Sequence, residues 1–107
     1  MRFLKNHKVR IGKHSFYVRI TNRAIIEYEE LSGDKTMNFE STGNMLKFFY
    51  CTAKAGALSE KQKFNYSYSQ FLDLIDNYFS ETMTAFNEVM SEESEGQDEK
   101  KKLMMNP

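Results

Sequence analysis

His7, His14 and Cys51 are the side chains in this sequence with the softest donor atoms and the best claim to nucleophilic or metal chemistry. A zinc centre takes about four Cys or His ligands, commonly in close pairs. One thiol and two imidazoles, both imidazoles on a predicted hairpin, fall short of that set. Nucleophilic catalysis needs a Ser or Cys beside a base that a third group orients. Cys51 instead stands in an apolar helical pattern, where thiols are packing residues. Asp73 and Asp76 are a carboxylate pair three apart, but on a helix rich in acids they read as a solvated face. The glycines at 12, 33, 43, 56 and 96 are scattered, so no phosphate-cradling loop is present. These residues predict a protein that is not an enzyme and uses no metal or cofactor.

Contact chemistry is better represented. The chain has nine Phe, six Tyr and seven Met in 107 residues. Phe48, Phe49 and Tyr50 cover more than one helix face, so they are expected to reach beyond a small core. With Tyr66, Tyr68, Met83 and Met90 they form the expected partner-binding set, since aromatic and Met side chains are enriched at interfaces. Lys8, Arg10, Lys13, Arg19 and Arg23 form a basic patch.

Charge is polarised although the net charge is zero. Residues 1–23 hold seven Lys or Arg and no acid; residues 67–99 hold nine acids and no base. Such polarity permits head-to-tail association of copies. It also permits nucleic-acid contact through the basic end. The single cysteine rules out an internal disulfide. No apolar run approaches the roughly 18 residues of a membrane helix, and the first six residues are too polar for a signal peptide. The expected compartment is the cytoplasm.

The elements that must position these groups follow from periodicity. Val9 and Ile11, then Phe16, Val18 and Ile20, alternate with polar residues around Gly12-Lys13, which predicts a β-hairpin. Thr21 or Asn22 caps a first helix that ends at Ser32-Gly33. Met37 and Phe39 alternate and suggest a third short strand. Ser41 caps a second helix, expected over 42–55 and stopped by Gly56. A polar loop over 57–66 leads to Ser67 and Gln70, a capping box. A break is expected near Asn77. Phe79, Met83, Phe86 and Met90 then mark a last helix. Between Glu92 and Lys102 there is no aliphatic or aromatic residue, so 92–107 reads as a charged tail, disordered or a frayed extension of the last helix, behind a single domain over 1–91. The fold class is α+β, a hairpin packed on three to four helices.

Three segments carry a family resemblance. Residues 20–34 read Ile-Thr-Asn-Arg-Ala-Ile-Ile-Glu-Tyr-Glu-Glu-Leu-Ser-Gly-Asp, 45–56 read Met-Leu-Lys-Phe-Phe-Tyr-Cys-Thr-Ala-Lys-Ala-Gly, and 67–76 read Ser-Tyr-Ser-Gln-Phe-Leu-Asp-Leu-Ile-Asp. In this order they resemble the tail assembly chaperones of long-tailed bacteriophages and related prophages. The more specific matches are Glu29 to Gly33, Phe49-Tyr50 with Ala53-Lys54, and Leu74-Ile75-Asp76. Phe-Phe-Tyr-Cys departs from the smaller residues common there, and the hairpin is unusually basic. The resemblance implies a non-enzymatic protein that coats a tape-measure protein in the bacterial host cell before the tail tube polymerises. It also implies a frameshifted longer product, for which the codons of Glu99 to Lys102 are the place to look. The alternatives are a nucleic-acid-binding accessory protein using the basic hairpin, and a structural virion or tail subunit.

Overall fold

A computed structural model describes residues 6–105, with side chains over 6–93. The order is β1 (His7–Ile11), β2 (His14–Val18), α1 (Asn22–Ser32), α2 (Thr42–Ser59), α3 (Tyr68–Ile75) and α4 (Phe79–Met105), with one 3₁₀ turn at Asp76–Tyr78. This is the α+β class.

β1 and β2 pair antiparallel, with Val9 opposite Phe16 and Ile11 opposite His14. Their alternation buries Val9, Ile11, Phe16 and Val18 on one face and leaves Lys8, Arg10 and Ser15 exposed on the other. Gly12 turns the chain at φ +60°, the left-handed value that the first central residue of a type II′ turn requires. Its N–H donates to Glu81 Oε2 at 2.6 Å, which ties the hairpin tip to the start of α4.

The helix starts follow the capping rules. Thr21 Oγ1 accepts from the Ala24 N–H at 3.0 Å, and Ser41 Oγ from Asn44 at 3.3 Å. At α3 the capping box is complete. Gln70 N–H donates to Ser67 Oγ at 3.1 Å, and Ser67 N–H to Gln70 Oε1 at 2.9 Å. The break expected near Asn77 is the 3₁₀ turn between α3 and α4.

α2 is the centre of the molecule. It packs against β2 on one side and α1 on another, and also meets α3. A helix enclosed on several sides is apolar nearly all round. That is why Met45, Phe48, Phe49, Tyr50, Cys51 and Ala53 are all buried. Phe48 stacks among Phe39, Tyr28 and Phe86, with ring centroids 4.7, 5.4 and 6.3 Å away. Phe49 meets Phe71 and Phe86, both at 6.1 Å.

Two expectations are corrected. Gly56 does not stop α2, which runs on to Ser59. Gly56 is instead where the helix touches the sheet: a Cβ there would lie 2.1 Å from the Tyr17 carbonyl oxygen. Second, Met37 and Phe39 lie in an irregular loop, not a strand, with Met37 at φ 55°. Asp34 organises that loop by accepting from Thr36 N–H (2.9 Å), Thr36 Oγ1 (2.6 Å), Asn38 N–H (2.8 Å) and the Tyr28 hydroxyl (2.5 Å). At the C-terminal end the chain follows the helix-extension alternative. α4 continues to Met105, and Glu93 is 8 % exposed. His7 explains this, because its Nδ1 lies 2.6 Å from Glu92 Oε2 and its Nε2 2.8 Å from Glu93 Oε1. The hairpin therefore clasps α4 through residues far apart in sequence.

The Asp34 knot has a pH consequence. Hydrogen bonds from the Thr36 hydroxyl, the Tyr28 hydroxyl and the Thr36 N–H hold the Asp34 carboxyl well below the usual carboxylate range. Burial and the bond to Asp34 push the Tyr28 hydroxyl up to about 12. A carboxyl lowered on folding adds stability that is full above its unfolded value, about 3.9, and is lost as pH falls toward the folded value. Melting temperature should therefore fall on acidification below that value more steeply in the wild type than in Asp34→Asn. Thermal melts across the acid range check this, and parallel curves would remove Asp34 from the account.

Candidate partner-binding site

The aromatic set does not form a surface. Phe48, Phe49 and Tyr50 are only 1, 1 and 9 % exposed, because α2 is enclosed by its neighbours. The Tyr50 hydroxyl donates to the Tyr66 carbonyl at 2.6 Å, so it pins the loop before α3. Tyr68 is half-buried against the Tyr50 ring at 5.5 Å. Met83 and Met90 are half-buried and packed on the core. Of the seven, Tyr66 alone is exposed, at 37 %. Its ring sits edge-on to Phe64, with centroids 5.2 Å apart.

The basic patch divides in two. Lys8 and Arg10 line a cleft with Glu81 and Glu88 of α4, so they face carboxylates of the same chain. Lys13 is exposed in the turn. Arg19 and Arg23 lie elsewhere, on an open groove of about 620 Å³ between α1, the end of α2 and the loop after it. The division follows from chain geometry. Strand alternation points Lys8 and Arg10 outward, whereas Arg19 lies beyond β2, where its N–H donates to the Thr52 carbonyl at 3.0 Å.

That groove is larger than the cleft of Lys8 and Arg10, which holds about 350 Å³. Ala24, Ala55, Leu58 and Phe64 supply apolar lining. Leu58 is 69 % exposed, the highest value among the large hydrophobic side chains described. Arg19, Arg23 and Lys54 bring positive charge, and Glu27 is the acid among them. Glu27 lies 3.6 Å from Arg23 Nε and 3.9 Å from Lys54 Nζ, both longer than a good hydrogen bond. The Arg19 guanidinium is set in place by Ser59 Oγ, which it reaches at 2.7 Å. Lys54 also leans over the Tyr50 ring, 5.6 Å from its centroid.

Sequence reasoning found Arg19 and Arg23 but missed Leu58 and Phe64 as site residues. Reading Gly56 as a helix stop put Leu58 into a loop. The signal was available: Lys54, Ala55 and Leu58 are spaced three and four apart, so a helix continued by one turn places them on one face.

The soft donors are not assembled. His7 is engaged by Glu92 and Glu93, His14 sits at the far end of the hairpin, and Cys51 is buried in α2. Burial, together with Glu27, pushes the Cys51 thiol up to about 11, which keeps it protonated and inert near neutral pH. Among the described residues no group of three or more His, Cys, Asp or Glu is placed to hold a metal ion. Nor is any described helix long and apolar enough to cross a membrane. No family model matches the chain, and no significant similarity links it to a curated protein or a solved structure.

Proposed function

We propose that this chain is a non-enzymatic protein-binding module that works as a phage tail assembly chaperone, holding a helical tape-measure protein in the host cytoplasm. The observation that carries the reading is the groove. It is open, partly apolar, rimmed by charge, and flanked by a leucine that the fold leaves in water. A concave, largely apolar surface with a few placed polar groups is where partners and ligands seat. Helix-in-groove recognition is the mode such a shape serves. The three segments that resemble the chaperone family fall on α1, on α2, and on α3 with its capping box; the first two supply Arg23, Glu27 and Lys54 to the groove, whereas Arg19, Leu58 and Phe64 lie outside them. The carboxylates of Glu81 and Glu88, which line one cleft with Lys8 and Arg10, weigh against nucleic-acid binding through the hairpin.

The test begins with the genes on either side. A gene for a very long helical protein nearby supplies the client, and that protein, purified, should bind this chain. Leu58→Glu should abolish binding while leaving the far-ultraviolet circular dichroism and melting temperature unchanged. No binding by the wild type, or full binding by Leu58→Glu, overturns the reading.

A further inference from the structure

The groove also has a chemical preference. We infer that it selects an acidic amphipathic helix from a partner protein, one with an apolar stripe flanked by carboxylates. The inference deepens the client-binding reading and takes the location of the site from it.

Three cations line the groove and one carboxylate answers them. Glu27 is shared between Arg23 and Lys54 at distances that leave both ammonium and guanidinium donors with capacity. The Arg23 side chain is 79 % exposed and that of Lys54 41 % exposed. Arg19, by contrast, is held by Ser59, so its charge is fixed in position before a partner arrives. Fixed or unsatisfied donors around an apolar floor reward a ligand that brings both an aliphatic face and carboxylates. A phosphate backbone would meet the cations but leave Ala55, Leu58 and Phe64 without apolar partners.

A second copy of this chain is the obvious acidic candidate, since α4 is rich in carboxylates. Three of its four acids with described side chains are already engaged, however. Glu81 accepts from Gly12 and Glu92 and Glu93 take His7, which leaves Glu88 as the exposed acid, on the cleft that Lys8 and Arg10 also line. A foreign helix brings carboxylates that no such internal partner has claimed.

The probe is a fluorescent peptide of helical period with leucine on one face and glutamate on both flanks, measured by anisotropy at low and high salt. Two counterparts carry glutamine or lysine in place of glutamate. The acidic peptide should bind, and more weakly at high salt. Arg23→Glu with Lys54→Glu should weaken it by at least about tenfold, and the lysine peptide should bind that variant better than it binds the wild type. Arg23→Gln with Lys54→Gln, which avoids crowding Glu27, should fall between. Equal binding of the glutamine peptide, or no change on charge reversal, overturns the inference. So does a DNA or RNA oligonucleotide that outcompetes the peptide in the groove. Concentration-dependent self-association removed by the same reversal would assign the groove to a second copy and overturn it too. If the tape-measure protein binds the reversed variant undiminished, the inference falls and the chaperone reading stands. If the acidic peptide binds and the tape-measure protein does not, the reverse holds.

Discussion

Gly56→Ala is expected to cost a large share of the stability of this fold. An added Cβ would stand 2.1 Å from the Tyr17 carbonyl oxygen, 2.3 Å from its carbon and 2.7 Å from the Val18 nitrogen. All three are backbone atoms of β2, so no side chain can swing aside. Two effects compete. Alanine is better than glycine inside a helix by about 1 kcal/mol. Overpacking a fixed contact costs about 1–3 kcal/mol, and more where the backbone itself must move. The clash wins, because relieving it means lifting α2 from the sheet. That movement also stretches the bond from Arg19 N–H to the Thr52 carbonyl, now 3.0 Å. We expect a loss of about 3 kcal/mol or complete failure to fold, which is a large share of the roughly 5–15 kcal/mol that holds a domain together. Gly43→Ala is the control. It sits in the first turn of the same helix, and its added methyl would meet the Ser41 hydroxyl at an ordinary 3.6 Å. That variant should be neutral or slightly stabilised, by up to about 1 kcal/mol. Urea melts of the two variants decide the matter. If Gly56→Ala melts at or above the wild-type midpoint, the helix does not press on the strand as described.

The same glycine shows what the sequence could disclose. Elements set by neighbours in the chain were legible: the hairpin through Val9, Ile11, Phe16 and Val18, the caps at Thr21, Ser41 and Ser67, and the break near Asn77. Each obeys a rule that spans a few residues. Gly56 obeys a different one. A glycine that ends a helix and a glycine that lets a strand approach have the same local signature, and only the strand distinguishes them. Phe39 is a similar case. Its alternation with Met37 suggests a strand, but Asp34 folds the backbone into a loop that delivers the ring to Phe48. The clasp of His7 on Glu92 and Glu93 spans 85 and 86 residues, so no local pattern could announce it. The groove was half legible for the same reason. Arg19 and Arg23 stood out as charges, whereas Leu58 became a site residue only once the helix carrying it was seen to continue.

The second large effect separates core from contact surface. Phe48→Ala is expected to lose about 3–5 kcal/mol, the usual cost of emptying a buried aromatic position. Phe48 is 1 % exposed, and its ring is shared by Tyr28, Phe39 and Phe86, which come from α1, the loop after it and α4. Its removal therefore loosens three segments around one cavity. Leu58→Ala deletes an aliphatic group four residues beyond Lys54 on the same helix, yet Leu58 is 69 % exposed. Its stability should stay within about 0.5 kcal/mol of wild type. The two variants should then part company in binding. Phe48→Ala, assayed well below its lowered melting temperature, should keep the client affinity of the folded fraction, because no atom of Phe48 lines the groove. Leu58→Ala should keep its melting temperature and bind the client more weakly. Had Phe48 been a contact residue, as its place in a run of three aromatics suggests, the pattern would invert: an unchanged melt and a lost partner. Measuring both quantities on both variants is thus a direct reading of which hydrophobic groups this fold spends on itself and which it leaves for a partner.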